Sequence, residues 1–436
     1  MSLVASFLEI VQPLSWAMSE PVFGRFLILL TGWIFAPRRT VTGMMIAAGV
    51  AGRLHHAAFH RVFSAAKWSL DQLGLIVFGL LEVLVPEGTV RLSLDDTEAH
   101  KRGHKVYGVG MHRDALLSTR KQPVLTWGHN WVTLAVIVRL PCCPGRVFSL
   151  PILFRLHLNQ AAAERARRVY RSRPELGVEL LHLLCNAHPE RHFHLFADTT
   201  FGGESMLAHL PTNGDLTSRL PMNARLYDAP PPRKPGARGR PRKRGARLPS
   251  PTQMLQQRAR RVTLDMYGDK RKARVADAVA RWHNVPDRPL RIVATEPLSG
   301  GRPDQAFYST RVEDTGEEVL IGYSERWSIE ETNAGSKGYL GFEEPQGWSR
   351  LAVLRTAPIA MLLYSLTVLW FARVGHHAYR PLPRPWYPKK ERPSFADMLR
   401  TLRRQSLLAT ISKQVGGGQV PQNLIECLCS AANAAA

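Results

Sequence analysis

Residues 90–97 read Val-Arg-Leu-Ser-Leu-Asp-Asp-Thr. Val90, Leu92 and Leu94 alternate with Arg91 and Ser93, the period of a half-buried strand, and the run leads directly into Asp95 and Asp96. Downstream, Trp131–Leu140 (WVTLAVIVRL) and Arg146–Leu156 (RVFSLPILFRL) are rich in β-branched and aromatic residues and predict two more strands. Ala161–Tyr170 and Leu176–Cys185 are helical by composition and spacing. His192–Ala197 (HFHLFA) is a fourth strand and ends at Asp198. The order strand, strand, strand, helix, strand predicts an α/β fold with an aspartate closing its first and fourth strands.

Upstream, residues 1–88 read as helical. Met44–Val50 and Leu54–Ala66, separated by Gly52, are spaced as a helix-turn-helix with Arg53, His55, His56, His60 and Arg61 on its second helix. A plain helical bundle fits the same residues equally well. Three histidines in six residues also suit a metal, but no carboxylate or cysteine stands near them.

The whole chain is 436 residues with 58 Lys+Arg against 35 Asp+Glu, a net charge of +23 and a pI near 10.4. Apolar residues make up 45%, so a chain disordered throughout is excluded. A basic surplus of that size points to a polyanion, nucleic acid first and an anionic membrane second. Five cysteines cannot form a disulfide framework, and they show no zinc-type spacing. The first 20 residues have neither the basic start nor the cleavage site of an export signal, and the expected location is cytoplasmic, at the bacterial nucleoid. Thr356–Ala372 is uncharged for 17 residues, just short of a spanning helix, and contains Pro358. A helix buried in a large core is the expectation there, and no membrane partner is expected.

Past residue 228 the composition breaks. Residues 233–247 carry eight basic residues and no acidic one, within which Arg238-Gly239-Arg240-Pro241-Arg242 has the core of an AT-hook. Such an arm enters narrow minor grooves, although a non-specific phosphate-binding tether has the same composition. Val262–Met266, Leu290–Ala294 and Phe307–Val312 look like strands of a small inserted sheet. Helices follow from 319 to about 378, then a basic, Pro-rich linker and a last helix, Phe395–Leu407.

Tyr323, Arg326, Glu330 and Lys337 stand in the spacing Tyr-x2-Arg-x3-Glu-x6-Lys. At about 100° per residue all four fall within about 60° of one helix face, if the helix survives Asn333 and Gly335. A carboxylate flanked by two cations and a hydrogen-bonding ring suits a scissile phosphate; a solvated i,i+4 pair of Arg326 and Glu330 is the plainer alternative. Two strand-end aspartates and a helical glutamate are the hard oxygen ligands a two-metal phosphoryl-transfer site needs, with ions about 3.5–4 Å apart.

Asp-Asp-Thr after one strand, Asp-Thr-Thr after a later one and the Tyr-Arg-Glu-Lys signature resemble the DDE transposases of bacterial insertion sequences. The branch is the one whose RNase H-like catalytic domain carries an insertion before its glutamate helix. The resemblance covers roughly residues 89–375 and implies a mixed sheet with flanking helices, a β-rich insertion and a helical N-terminal DNA-binding domain. It divides the chain at 1–88, 89–228, 229–318, 319–378 and 379–436. It implies Asp95, Asp198 and Glu330 as catalytic metal ligands for two Mg²⁺ ions, with Mn²⁺ as a substitute. Asp96 stays open as the first ligand, although the Asp-x-Thr pattern favours Asp95. Tyr323, Arg326 and Lys337 would contact DNA, as would Arg238, Arg240 and Arg242 if the arm is a minor-groove hook. The implied reaction is cut-and-paste transposition. Metal-dependent cleavage at the element's ends frees a 3′-hydroxyl, which then attacks target DNA. The implied partners are terminal inverted repeats, target DNA and a second copy of the chain. A transposase-derived DNA-binding protein without activity is the alternative.

Overall fold

The structure is a computed structural model that describes residues 2–114, 117–119, 121–232, 242–298, 301, 303–381, 390 and 392–414. Twelve strands form one mixed sheet: β1 (Val90–His100), β2 (Gly110–Arg113), β3 (Leu125–Arg139), β4 (Val147–His157), β5 (Phe193–Ala197), β6 (Gly214–Leu220), β7 (Leu226–Tyr227), β8 (Arg247–Leu248), β9 (Arg260–Met266), β10 (Asp269–Trp282), β11 (Val285–Pro297) and β12 (Gln305–Ser309). At one end the order is β4-β3-β1-β5-β6. The first three are mutually antiparallel, and β5 and β6 run parallel to β1. That is the RNase H-like arrangement. Ala, Val, Ile and Leu on both faces of β3 and β4 are buried, because helices cover the sheet on each side.

Several strands differ from their sequence reading. β1 does not end at Asp95 but runs five residues further, because Asp95–His100 pair with Gly128–Thr133 of β3. The unusual run Trp127-Gly128-His129-Asn130-Trp131 is therefore strand, and Gly128 is required there: a Cβ would lie 2.3 Å from the Ala99 carbonyl oxygen. β6 and β10 carry weak strand signals in sequence and were not expected; β10 alternates Arg and Lys with Ala and Val. Nor is the inserted sheet separate. β12 pairs with β6, so the strands of the insertion continue the core sheet.

The N-terminal helices Ala5–Val11, Glu20–Phe35, Val41–Ala47, His56–Ser64 and Leu70–Leu81 pack on the core. Gly52 takes φ +79° in the turn between the third and fourth, as that turn needs. The apolar segment of possible membrane character lies in the helix Arg350–Trp370, which packs against β4. Among the described residues one helical stretch, Arg350–Ala378, is long and apolar enough to cross a membrane, and 89% of its most apolar window is inside the protein. Burying a side chain of that type contributes about 1.5–3 kcal/mol. Arg355 near its start is buried too, donating to the carbonyls of Phe63, Ala66 and Trp68, which ties this helix to the N-terminal layer. The last helix extends beyond its expected end, to Gln414.

Candidate active site

The site begins with the register of two strands. β1 and β5 are parallel, with Leu94 opposite Ala197. The next residues, Asp95 and Asp198, consequently stand side by side at the point where β5 ends and β1 continues. Because side chains alternate along a strand, Asp95 and Asp96 face opposite ways. Asp96 accepts hydrogen bonds from Asn130 Nδ2 (2.6 Å) and Arg173 Nη1 (2.8 Å). Asp95 is on the Asp198 side.

Asp198 is fixed by its own turn. Its Oδ1 accepts the Thr200 amide at 2.9 Å and its Oδ2 the Thr200 hydroxyl at 3.2 Å, an Asx-type turn. Gly202 closes that turn against Ser218, whose Oγ would lie 2.0 Å from an added Cβ.

The signature residues reach these acids from two helices, not one. Tyr323 lies in Gly316–Glu325, and Glu330 and Lys337 lie in Ser328–Leu340. The break is at Arg326-Trp327, where tightened i→i−3 bonds link the amides of Arg326, Trp327, Ile329 and Glu330 to carbonyls three residues back. Asn333 and Gly335, where a break was expected, sit inside the second helix, half-sheltered by Tyr364 and Phe395. Arg326 sits at the corner between the helices. Its guanidinium is 3.5 Å from Asp95 Oδ2, 3.1 Å from Glu330 Oε1, and lies 5.5 Å from the centroid of the Tyr323 ring. Tyr323 is buried with its ring against Phe307, and burial pushes its hydroxyl up from its ordinary pKa.

Asp95, Asp198, Tyr323, Arg326 and Glu330 are thus brought together. Lys337 is not: its ammonium pairs with Glu343 at 3.7 Å, beyond the end of β1. Arg242 is exposed, and Arg238 and Arg240 lie outside the described residues. The histidines near Cys185 do not gather either. His182 bonds the His209 carbonyl, His192 bonds Asp215 and His194 bonds Thr217.

A cleft of about 680 Å³ opens over the acids, lined by Asp198, Tyr323, Arg326, Trp327 and Glu330 on one side. Arg219 of β6 and Arg271 and Lys272 of β10 line it on the other. Sequence reasoning missed these three cations because the strands that carry them were themselves missed. Arg219 lies 6.0 Å from the Tyr323 ring centroid.

Electrostatically the site asks for a cation. Burial pushes the Asp95 carboxyl up to about 7; Arg326 opposes this, and the charges of Asp96 and Asp198 add to it. Three carboxylates converging on one cleft are the hard donor set of Mg²⁺ or Mn²⁺, so the residues present fit such an ion. A tighter group of possible ligands, Glu98, His100 and Asp114, has its donor atoms within 4.8 Å of one another further along β1. It is a separate place, and Glu98 there already accepts from Thr126.

A family profile described as DDE superfamily endonuclease matches residues 21–281, a span that includes Asp95 and Asp198 and stops before Glu330. No curated protein matches. Among solved structures, the piggyBac transposase synaptic complex with hairpin DNA is similar at 11% identity and a TM-score of 0.38, with 95% of this chain and 76% of that one covered.

Proposed function

The chain belongs to the DDE superfamily of endonucleases, and from that premise we propose that it is a cut-and-paste DNA transposase of the bacterial insertion-sequence branch. The observation that carries the reading is the convergence of Asp95, Asp198 and Glu330, through Arg326, on one basic-walled cleft. Asp95, Asp198 and Glu330 would hold the metal. Bound there, divalent cations activate the attacking oxygen and stabilise the leaving one.

The chain's own residues do the rest. Arg326 holds Asp95 and Glu330 together and keeps one face of its guanidinium against the Tyr323 ring. Its buried Nε has no partner within the protein, and a phosphate oxygen of the scissile strand would supply one. The Asp198 turn fixes that carboxylate before substrate arrives, so no ordering cost falls on the reaction. Arg219, Arg271 and Lys272 offer charge to the DNA backbone on the opposite wall. Cleavage would free a 3′-hydroxyl at each element end, and the same centre would then direct that hydroxyl at target DNA without ATP. A second copy of the chain would serve the second end, in the bacterial nucleoid.

The test is Mg²⁺-dependent cleavage of a DNA fragment carrying the element's own ends. Wild type should cut, and Glu330→Gln should bind the ends but not cut. Binding without cutting by both would favour the alternative of an inactive transposase-derived DNA-binding protein. Cutting by Glu330→Gln at the wild-type rate would remove Glu330 from the site.

A further inference from the structure

The turn between β3 and β4 contains two adjacent cysteines, Cys142 and Cys143, with their sulfurs 3.9 Å apart. Cys143 is buried and Cys142 half-buried. Two thiolates on one tetrahedral ion with bonds of about 2.3 Å stand about 3.8 Å apart. The two sulfurs are therefore already at the separation that one such ion requires.

A third donor comes from a part of the chain more than 200 residues away. The helix Arg350–Trp370 ends in a π-helical turn, Phe371–Gly375, and the next residue is His376. Its Nδ1 lies 3.1 Å from the Phe371 carbonyl oxygen. A carbonyl only accepts, so Nδ1 carries the proton and Nε2 keeps its lone pair. An imidazole with one nitrogen donating to a backbone carbonyl is the arrangement that orients metal-ligating histidines. His376 lies close enough for its charge to act on the Cys142 thiol, which is held at about 7, chiefly by its bond with Cys143. Tyr379, just beyond, feels the Cys143 side in turn. The two sulfurs are preset, and the partly exposed His376 closes on them by a side-chain movement.

We propose that Cys142 Sγ, Cys143 Sγ and His376 Nε2 form a site for a thiophilic d¹⁰ cation, zinc by its chemistry, which fastens the β3–β4 turn to the π-helical end of the core helix. Sequence spacing could not show it, because the thiols are neighbours and the imidazole is remote. The site is independent of the DNA chemistry. It also lies beside Gly145, which packs against Arg392 and the tip of the β9–β10 hairpin at Gly268.

Cobalt(II) is the probe, added to the full reduced chain carrying Cys427→Ser and Cys429→Ser so that the tail thiols are absent. The expected result is one equivalent per chain, a thiolate-to-cobalt charge-transfer band and tetrahedral visible bands. Cys142→Ser and Cys143→Ser should each abolish the charge-transfer band. His376→Gln should weaken binding about tenfold or more. Zinc should displace the cobalt and raise Tm, and Cys142→Ser should remove that rise while leaving DNA cleavage unchanged. The proposal is overturned if no charge-transfer band forms with both thiols reduced. It is equally overturned if the band survives both serine variants, or if the pair closes to a vicinal disulfide in the presence of excess zinc.

Discussion

Arg326 Nη1 lies 3.5 Å from Asp95 Oδ2 across 231 residues of sequence, and its other terminal nitrogen holds Glu330. One guanidinium thus fixes the distance between a strand and a helix. Replacing it by alanine leaves Asp95 buried among Asp96 and Asp198 with no cation facing it. Arg326→Ala should therefore lose about 10²-fold or more in cleavage rate, the scale of removing one positioned donor. Circular dichroism should remain native. Cleavage within a few-fold of wild type would contradict this.

Asp95 and Asp96 should separate cleanly by what each loses. Asp95→Asn should abolish cleavage with little change in stability. Asp96→Asn removes an acceptor from Arg173 and Asn130 and should cost about 1–3 kcal/mol in urea unfolding. The Asp96 variant should still cut below its unfolding range. A reversal of the two phenotypes would put the ligand at Asp96.

Glu325, next to Arg326, is a buried carboxylate held by Arg91 and Arg139, each at 2.6 Å. It faces away from the cleft and joins the helix Gly316–Glu325 to the core sheet. Glu325→Gln should destabilise by about 2–3 kcal/mol, discounted for the partial exposure of both arginines. A denaturation midpoint unchanged from wild type would show the pair to be idle.

Gly322 sits mid-helix, where alanine would ordinarily add up to about 1 kcal/mol of stability. Here a Cβ would lie 2.5 Å from Phe196 Cε1 and 2.6 Å from Arg91 Nη2. The clash should win: Gly322→Ala should destabilise by about 1–3 kcal/mol and push Tyr323 and Arg326 off the acids. Denaturation and cleavage measured together check both effects.

Burial holds three histidines well below their ordinary range, His129 and His157 at about 4 and His194 at about 3. Unfolded, each takes a proton near pH 6.5. Below that pH the unfolded chain binds more protons, so stability falls as pH drops from about 6.5 to 4. The His194 contribution continues to about 3. Asp95, raised to about 7, acts in the opposite sense over the same window and offsets one of the three. In chelator the net slope should be about two protons, each about 1.4 kcal/mol per pH unit. His157→Phe should remove one proton from it and Asp95→Asn should add one. A flat urea midpoint from pH 7 to 5 would contradict the account.

The RNase H-like order was legible because β1, β3, β4 and β5 are apolar and β-branched, and burial on both faces demands that composition. β6 and β10 escaped because Asp215, Arg219, Arg271, Lys272 and Arg274 occupy positions open to solvent or to the cleft, which dilutes the strand signal. The acids could be picked out by position, but their meeting depends on the Leu94–Ala197 register, which is a tertiary fact. The turn at Arg326-Trp327 was hidden because both residues keep helical dihedrals and nothing in their chemistry breaks a helix. Lys337 fits the signature by spacing, yet Glu343, from beyond the helix end, takes it.

The central claim is that carboxylates from three distant parts of the chain, Asp95, Asp198 and Glu330, hold one metal centre. Replacing Mg²⁺ by Fe²⁺ with ascorbate and peroxide generates radicals that cut the polypeptide beside the bound ion. Mapping those cuts tests the claim directly. The account predicts three clusters of cuts, around residues 95, 198 and 330, all lost in Glu330→Gln and all suppressed by excess Mg²⁺. Cuts confined to residues 98–114, near Glu98, His100 and Asp114, and unaffected by Glu330→Gln would contradict it.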